Sequence, residues 1–306
     1  MRLVARHISA VALALASVVP AAASRAQTPA ARPTAREVVE RIRQQLGREG
    51  VSWSAETVDT FKDGDPDAPV TGIALTMMAT LDVLQRAAAQ GANLVITHEP
   101  TFYGHLDRID ALEQERDPVL AAKRAFIREK GLVVWRFHDH WHRRRPDGII
   151  EGMTKALGWE RFRSTTADTT SSPRGAQPLH VLTETPLRDL AATIRERLGA
   201  PTLRVLGDPA MRVRRVALIP GAAGFQLQRA YLQRGDVEVL VIGEAPEWET
   251  ALYVADAVTA KHRKAMIVIG HIPSEQAGME EATRWLRAFV GEVPVHFVPA
   301  REPFWR

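Results

Sequence analysis

The chain has 306 residues, of which 45% are hydrophobic and 25% charged, the composition of a globular protein with one large or two ordinary domains. Its formal net charge of +4 includes three arginines in residues 1–26, which hold no acidic residue, so the remaining excess of positive charge is too small to suggest nucleic-acid binding. The absence of cysteine excludes disulfides, thiolate metal ligands and cysteine nucleophiles.

The N-terminal segment has the layout of a secretory signal. Arg2 and Arg6 precede an apolar stretch that is too short to span a bilayer as a mature helix, and small residues lead to a candidate cleavage site after Ala26. A buried N-terminal helix is the alternative, but the Pro- and Ala-rich stretch that follows would not pack. We expect a signal peptide over residues 1–26, a disordered tail over 27–34, and a periplasmic or secreted protein without a membrane span.

Helix and strand patterns alternate over residues 35–162, which predicts a first α/β sub-domain. The expected elements, in chain order, are a helix over 36–46, a strand over 70–77, a helix over 80–89, a strand over 93–97, a helix over 118–130 and a strand over 132–137. Thr80 is a candidate N-cap, and the Asp117-Pro118 pair is typical of a helix start.

Residues 163–177 contain no large apolar side chain and are interpreted as a linker or exposed loop. The alternation then resumes over residues 178–306, the second α/β sub-domain. The expected elements are a strand over 179–182, a helix over 187–198, a strand over 213–219, a helix from 225, and strands over 237–242, 265–269 and 293–297. Strands that alternate with helices in this way predict mostly parallel sheets.

Three apolar strands each lead into a histidine, namely His98, His138 and His271. In open parallel sheets, ligands bind beyond the carboxyl ends of the strands. A single histidine at a strand end is more often an ordinary polar residue, but each of these three has a carboxylate or a second histidine within four positions. Imidazole and carboxylate are ligands of zinc, iron and manganese. The pattern therefore predicts a metal site in the cleft between the two sub-domains.

Ser274 can N-cap a helix in the segment GHIPSEQ, which would place His271 just before the helix and Glu275 in its first turn, both facing one point. Glu99 adjoins His98 in a turn, so the two side chains can address different ions. The candidate ligands are His98, Glu99, His138, His142, His271 and Glu275. They exceed the needs of one tetrahedral site and suit two ions about 3.5–4 Å apart.

The segment FHDHWH leaves open which of His138, His140 and His142 is a ligand. His105 and His140 are candidates for moving protons as catalytic residues. The arginine run over residues 143–145 suits an anionic small-molecule substrate, although such a run is usually a solvated loop.

The chain resembles the Nif-three-like family of dinuclear-metal proteins, also called the GTP cyclohydrolase type-two-like family, over nearly all of its mature length. The segment that ends in LVITHEP is similar to the family's strand-helix-strand and His-His-Pro motif, FHDHWH to its His-x-x-x-Asp motif, RVRRVALIPGAAG to its glycine-rich loop, DVEVLVIGE to its second-domain strand, and GHIPSE to its Gly-His-x-x-Ser/Thr-Glu motif. The resemblance implies a toroidal homohexamer with two divalent ions per chain, and a C-terminal part, about 262–306, that completes the metal site with the first sub-domain.

Three positions depart from the family's pattern, all in or near its metal site: Glu99 replaces a histidine, His142 an aspartate and Trp248 a histidine. The first two changes look reciprocal, so the family's inventory of three histidines and two carboxylates is kept. The site is then a working one with its ligands redistributed. The alternative is decay to a site for a single ion.

The chemistry of the ligands favours an exported metal-dependent hydrolase of unknown substrate, with metal-bound water as the nucleophile. A non-catalytic protein that binds or delivers metal is the first alternative. GTP cyclohydrolase activity by family analogy ranks third, because GTP is not expected outside the cytoplasm.

Overall fold

The computed structural model describes residues 32–165 and 177–305. The expected signal peptide and most of the expected tail and linker lie outside the described residues. The elements in chain order are α1 Ala35–Arg48, β1 Phe61–Asp63, β2 Ile73–Thr76, α2 Leu81–Ala89, β3 Leu94–Thr97, α3 Asp110–Gln114, α4 Pro118–Glu129, β4 Val133–Arg136, α5 Asp139–Arg143, α6 Gly148–Leu157, β5 Leu179–Pro186, α7 Leu187–Leu198, β6 Arg204–Leu206, β7 Arg212–Ile219, α8 Phe225–Leu232, β8 Val239–Ile242, α9 Leu252–Thr259, β9 Ala265–Val268, α10 His271–Arg287 and β10 Val295–Phe297.

The first sheet has the strand order β1-β4-β3-β2-β10, and all neighbours are parallel except β1, which runs antiparallel to β4. The strands β2, β3 and β4 are buried at every position, as expected for a parallel sheet that is covered on both faces. Their registers pair Thr76 with Thr97 and Thr97 with Arg136. The three strands therefore end level, and the residues that follow them emerge at one edge.

The second sheet has the order β5-β7-β8-β9-β6, with β7, β8 and β9 parallel and the two outer strands antiparallel. The α/β fold with two sheets is confirmed. The first sheet is mostly parallel, as expected, whereas the second is mixed, with two parallel and two antiparallel pairings. The sequence missed the edge strands β1 and β6. No residue of either strand is fully buried, so their apolar pattern is weak.

Local signals set most helix boundaries as expected. The hydroxyl of Thr80 accepts a hydrogen bond from the backbone N–H of Val83, and the carboxylate of Asp117 accepts one from Leu120. The helix over 187–198 was predicted with the bounds it has. None of the helices in the described residues is both long and apolar enough to cross a membrane.

Helix α10 joins the two sheets, because it follows β9 of the second sheet and leads to β10 of the first. Its apolar face, which includes Ile272, Met279 and Leu286, belongs to the core under the first sheet. It crosses α6 closely at Gly152 and Gly278: a Cβ on Gly152 would lie 2.3 Å from the carbonyl oxygen of Ala277. This crossing brings the start of α10 to the edge of the first sheet.

The expected N-cap role of Ser274 is wrong. Helix α10 begins at His271, after Gly270 at φ 92°. The Ser274 hydroxyl instead accepts from the backbone N–H of Gly221 at 3.0 Å and donates to the carbonyl of His271 at 2.7 Å. Since His271 and Glu275 are the first and fifth residues of the helix, they still share a face.

Candidate metal centre

Four histidines and two glutamates meet at the edge where β3 and β4 end. His98 and Glu99 follow β3, His138 precedes α5, and His142 lies within α5. His271 and Glu275 come from the first turns of α10. We call these six residues the six-donor cluster.

Three imidazoles form one side of the cluster. The ring centroids of His98, His138 and His142 lie 4.6 to 5.0 Å apart. One ring nitrogen from each of the three lies within 4.8 Å of those of the other two, close enough to surround one ion. His138 and His142 thus both belong to the cluster, and both remain candidate ligands.

The carboxylates form the other side. Oε2 of Glu275 lies 3.5 Å from Nε2 of His98 and 3.2 Å from Nε2 of His271. Oε1 of Glu99 lies 3.3 Å from Nε2 of His271 and 3.7 Å from Nε2 of His138. His98, Glu99 and Glu275 form a second possible ligand group, so His98 is common to both sides.

The second ring nitrogen of each cluster histidine is held by an oxygen. The Nδ1 atoms of His138, His142 and His271 lie 2.9, 2.9 and 2.7 Å from carboxylate oxygens of Asp139, Asp147 and Glu244, respectively. Nδ1 of His98 lies 3.0 Å from the carbonyl oxygen of Phe137. Metal-binding histidines commonly have such partners, because the bond fixes the ring and leaves Nε2 for the ion.

Several atoms of the cluster are buried without a hydrogen bond. Nε2 of His98 and Oε2 of Glu275 have none within the described residues, and both side chains are at most 1% exposed. Leaving such atoms unsatisfied costs about 1–3 kcal/mol each. A divalent cation would satisfy both, so the donors fit a metal.

Electrostatics point the same way. Burial and the neighbouring histidines hold the pKa of His98 well below its usual value, so the ring is neutral and ready to ligate. Burial alone would lower the pKa of His271, but the hydrogen bond to Glu244 and the nearby carboxylates of Glu275 and Glu99 outweigh it and raise the pKa to about 12. A metal ion bound by Nε2 would have to displace this proton, which would make binding pH-dependent.

His140 points away from the cluster, unlike its neighbours in α5. Its ring is fully buried and stacked on Trp53, with centroids 3.6 Å apart. Nδ1 lies 2.7 Å from Asp59, and Nε2 accepts from the backbone N–H of Ser54 at 2.9 Å. Both nitrogens are therefore engaged. Asp59, which the sequence reading missed, also accepts from the backbone N–H of His138 at 2.6 Å and so fixes the start of α5.

His105 is exposed at the border of the cluster, with its ring edge-on to His138 at 5.9 Å between centroids. Partial burial and the charge of Arg136 lower its pKa.

Trp248, which replaces a histidine of the family's pattern, lies on the π-helical segment Glu247–Ala251. Its side chain is 77% exposed and is not part of the cluster.

The arginine run is used in local packing. Arg144 lies over the ring of Trp141 at 4.6 Å and pairs with Glu49 at 2.7 Å, while Arg145 donates to the carbonyl of His142 at 3.1 Å. The run borders no part of the cavity of about 640 Å³ that adjoins His271 and Glu244. The lining of that cavity is partly apolar, and besides His271 it includes four charged residues: Arg204, Glu244, Glu247 and Glu302.

The family model for Duf34/NIF3 (NGG1p interacting factor 3) matches residues 38–303. The chain belongs to this family. One relative, a GTP cyclohydrolase 1 type 2 homolog of Chlamydia muridarum, is 24% identical over 243 residues, 79% of this chain and 88% of the relative. A homolog of the same description from Streptomyces coelicolor is 26% identical over 184 residues, 56% of this chain and 61% of the relative.

Solved structures of similar fold include a Bacillus cereus protein related to NIF3, with TM-score 0.68, 14% identity and coverage of 90% of this chain and all of that one. A hypothetical protein of Staphylococcus aureus has TM-score 0.67, 16% identity and coverage of 90% and 99%. At these identities the likeness shows the fold alone, and it agrees with the sheets described above.

Proposed function

We propose that the protein is an exported, metal-dependent hydrolase that binds two divalent ions in the six-donor cluster. The observation that carries the proposal is the pairing of oxygen-anchored imidazoles with buried, unsatisfied donor atoms at one point. Purely nitrogen and oxygen donors suit zinc, iron or manganese. Export rests on the signal-like layout of residues 1–26.

Two ions account for the donors better than one. The three imidazoles make one ligand group and the carboxylates another, with His98 common to both. His271 adds a nitrogen on the carboxylate side. Bound there, divalent ions would lower the pKa of a coordinated water toward about 7 and so supply a nucleophile at neutral pH.

Other residues have supporting roles in this proposal. His105, exposed beside His138, is placed to exchange protons with a substrate. His140, which has both nitrogens engaged, is better suited to hold α5 in place than to move protons.

The cavity beside His271 is the proposed substrate site. Its charged lining has three carboxylates and one guanidinium, which favours a neutral or cationic small molecule over the anionic one suggested by the arginine run. The same charge disfavours the triphosphate of GTP, although the relatives carry the description of GTP cyclohydrolase homologs.

We also propose a homohexamer, on the family resemblance. Several large apolar side chains stand exposed, as expected of a chain that is buried further on assembly. They include Trp248, Leu252, Phe304 and Trp305.

The test is hydrolysis of a panel of small esters and amides by the purified protein at stoichiometric zinc, iron or manganese. Turnover that disappears in His271→Ala and persists in the exposed-histidine control His262→Ala supports the hydrolase. Tight, exchangeable metal without turnover would favour the metal-delivery protein. Intact-mass measurement of the natively expressed protein tests export, since the mature chain should begin near Gln27.

A further inference from the structure

Arg136 is a fully buried arginine at the end of β4, directly under the six-donor cluster. Its Nε donates to the carbonyl oxygen of His98 at 3.0 Å, and Nη1 donates to the carbonyl oxygen of His105. Nη2 donates to Oε2 of Glu99 at 3.2 Å. The guanidinium thus holds the backbone on both sides of Glu99 as well as its side chain.

The charges around Arg136 are balanced. Asp107 lies 3.6 Å from Nη1 of Arg136 and 3.3 Å from Nζ of Lys62, and the side chains of Asp107 and Lys62 are at most 7% exposed. Together with Glu99 they form a set of two cations and two carboxylates. A buried guanidinium is tolerated only with such partners, so Arg136 has little freedom to turn elsewhere.

We propose that Arg136 is a positioning residue that decides which oxygen of Glu99 faces the metal. This inference rests on the metal site proposed above. A guanidinium has donors only, so residue 99 must turn an acceptor toward it. Oε2 of Glu99 is used in this way, and Oε1 is left facing His271 and His138 at 3.3 and 3.7 Å. Glu99 then offers one oxygen to the cluster.

The substitution Glu99→Gln tests this directly. Arg136 should hold the amide oxygen, which turns the NH₂ group toward the cluster, and an amide nitrogen of this kind does not ligate metal. We expect Glu99→Gln to lower the affinity for Co²⁺, followed by the visible absorption of the bound ion, by the same factor as Glu99→Ala, about tenfold or more.

Glu275 provides the matched control. Its Oε2 has no hydrogen-bond partner within the described residues, so the amide of Glu275→Gln is free to turn its oxygen to the metal. Glu275→Gln should therefore bind Co²⁺ several-fold more tightly than Glu275→Ala, unlike the pair at residue 99.

Removing the guanidinium should abolish the difference between the two sites. In an Arg136→Met background, Glu99→Gln should bind Co²⁺ several-fold more tightly than Glu99→Ala, since the amide can then turn. The inference is overturned if Glu99→Gln binds Co²⁺ more tightly than Glu99→Ala while Arg136 is present. It is also overturned if the two variants bind Co²⁺ equally tightly in the Arg136→Met background. The first comparison leaves Arg136 intact and so does not depend on the folding of its variants. A parent protein that binds no Co²⁺ would overturn the metal site itself.

Discussion

The two sheets end differently at the edge that meets the six-donor cluster. In the first sheet, β3 and β4 lead into His98, Glu99 and His138, whose side chains are donors. In the second sheet, β7, β8 and β9 lead into Gly221, Gly243 and Gly270, which have no side chains. One sheet supplies candidate ligands, and the other leaves room for the helix that carries the remaining candidates.

A side chain at either of the first two glycines would collide with the start of α10. A Cβ on Gly221, which has φ 71°, would lie 2.2 Å from Oε1 of Glu275. A Cβ on Gly243 would lie 2.5 Å from the hydroxyl of Ser274. The backbone of the second sheet therefore sits against the first turns of α10, and the glycine-rich segment after β7 is required to seat Glu275. The first sheet thus contributes donor side chains to the cluster, and the second leaves space for them.

The largest effect is expected from removing the donor common to both ligand groups. His98→Ala should remove most of the bound metal, because His98 is within reach of both the imidazole side and the carboxylate side. Elemental analysis of the purified variant measures this, with the exposed-histidine variant His262→Ala as the control. Equal metal content in the two variants would contradict the role of the first sheet as the source of donors.

A smaller loss is expected when space is removed in the second sheet. Gly221→Ala and Gly224→Ala both place a side chain at positive φ, 71° and 78°, which costs each about 1–3 kcal/mol of stability. Only the Cβ at Gly221 meets Glu275, since nothing lies within 4 Å of a Cβ at Gly224. Metal affinity, measured by titration, should fall about tenfold in Gly221→Ala and little in Gly224→Ala. A similar affinity in both would contradict the role of Gly221 in leaving space for Glu275.

The smallest effect on metal content is expected from a substitution of His180, a buried histidine in the second sheet. Its ring is fully buried near Trp159, and neither nitrogen has a hydrogen-bond partner within the described residues. Burial, aided by the charge of Arg163, lowers its pKa to about 4. We expect His180→Leu to leave the metal content unchanged, because His180 belongs to no ligand group.

The pH dependence of folding should change instead. The unfolded chain takes up a proton near pH 6.5, whereas folded His180 does so only near pH 4, so stability is lost as the pH falls between these values, by up to about 3 kcal/mol. Denaturant unfolding of the metal-free protein at pH 7 and pH 4.5 should show this loss, and His180→Leu should show less of it. Parallel pH profiles would argue that His180 is not the group responsible.

Much of the site could be predicted from the sequence, because its donors stand next to local signals. Apolar strands that end in His98 and His138 are readable from a few neighbouring residues, and so is the pair His271 and Glu275 at the spacing of one helical turn. The sequence could not separate His140 from His138 and His142. Its partners Ser54 and Asp59 lie more than 80 residues away along the chain.

Arg136 was missed for a related reason. In VVWRF it occupies an ordinary strand position, and the available hint was a charge within an otherwise apolar strand. Its importance depends on Glu99 and Asp107, which reach it only when β3 and β4 pair. Glu244 likewise acquires its role only when α10 brings His271 to it.

The sequence by itself determined the order of the main helices and strands, the parallel centre of both sheets and the six candidate donors, because apolar periodicity and strand ends are local properties. Only the tertiary structure decided which nitrogen or oxygen of each donor faces the cluster. That choice depends on single hydrogen bonds, such as those of Asp147 to His142 and of Arg136 to Glu99, and on the glycines that admit Glu275. Such contacts form between segments that are distant along the chain, and strand pairing and helix packing fix them together.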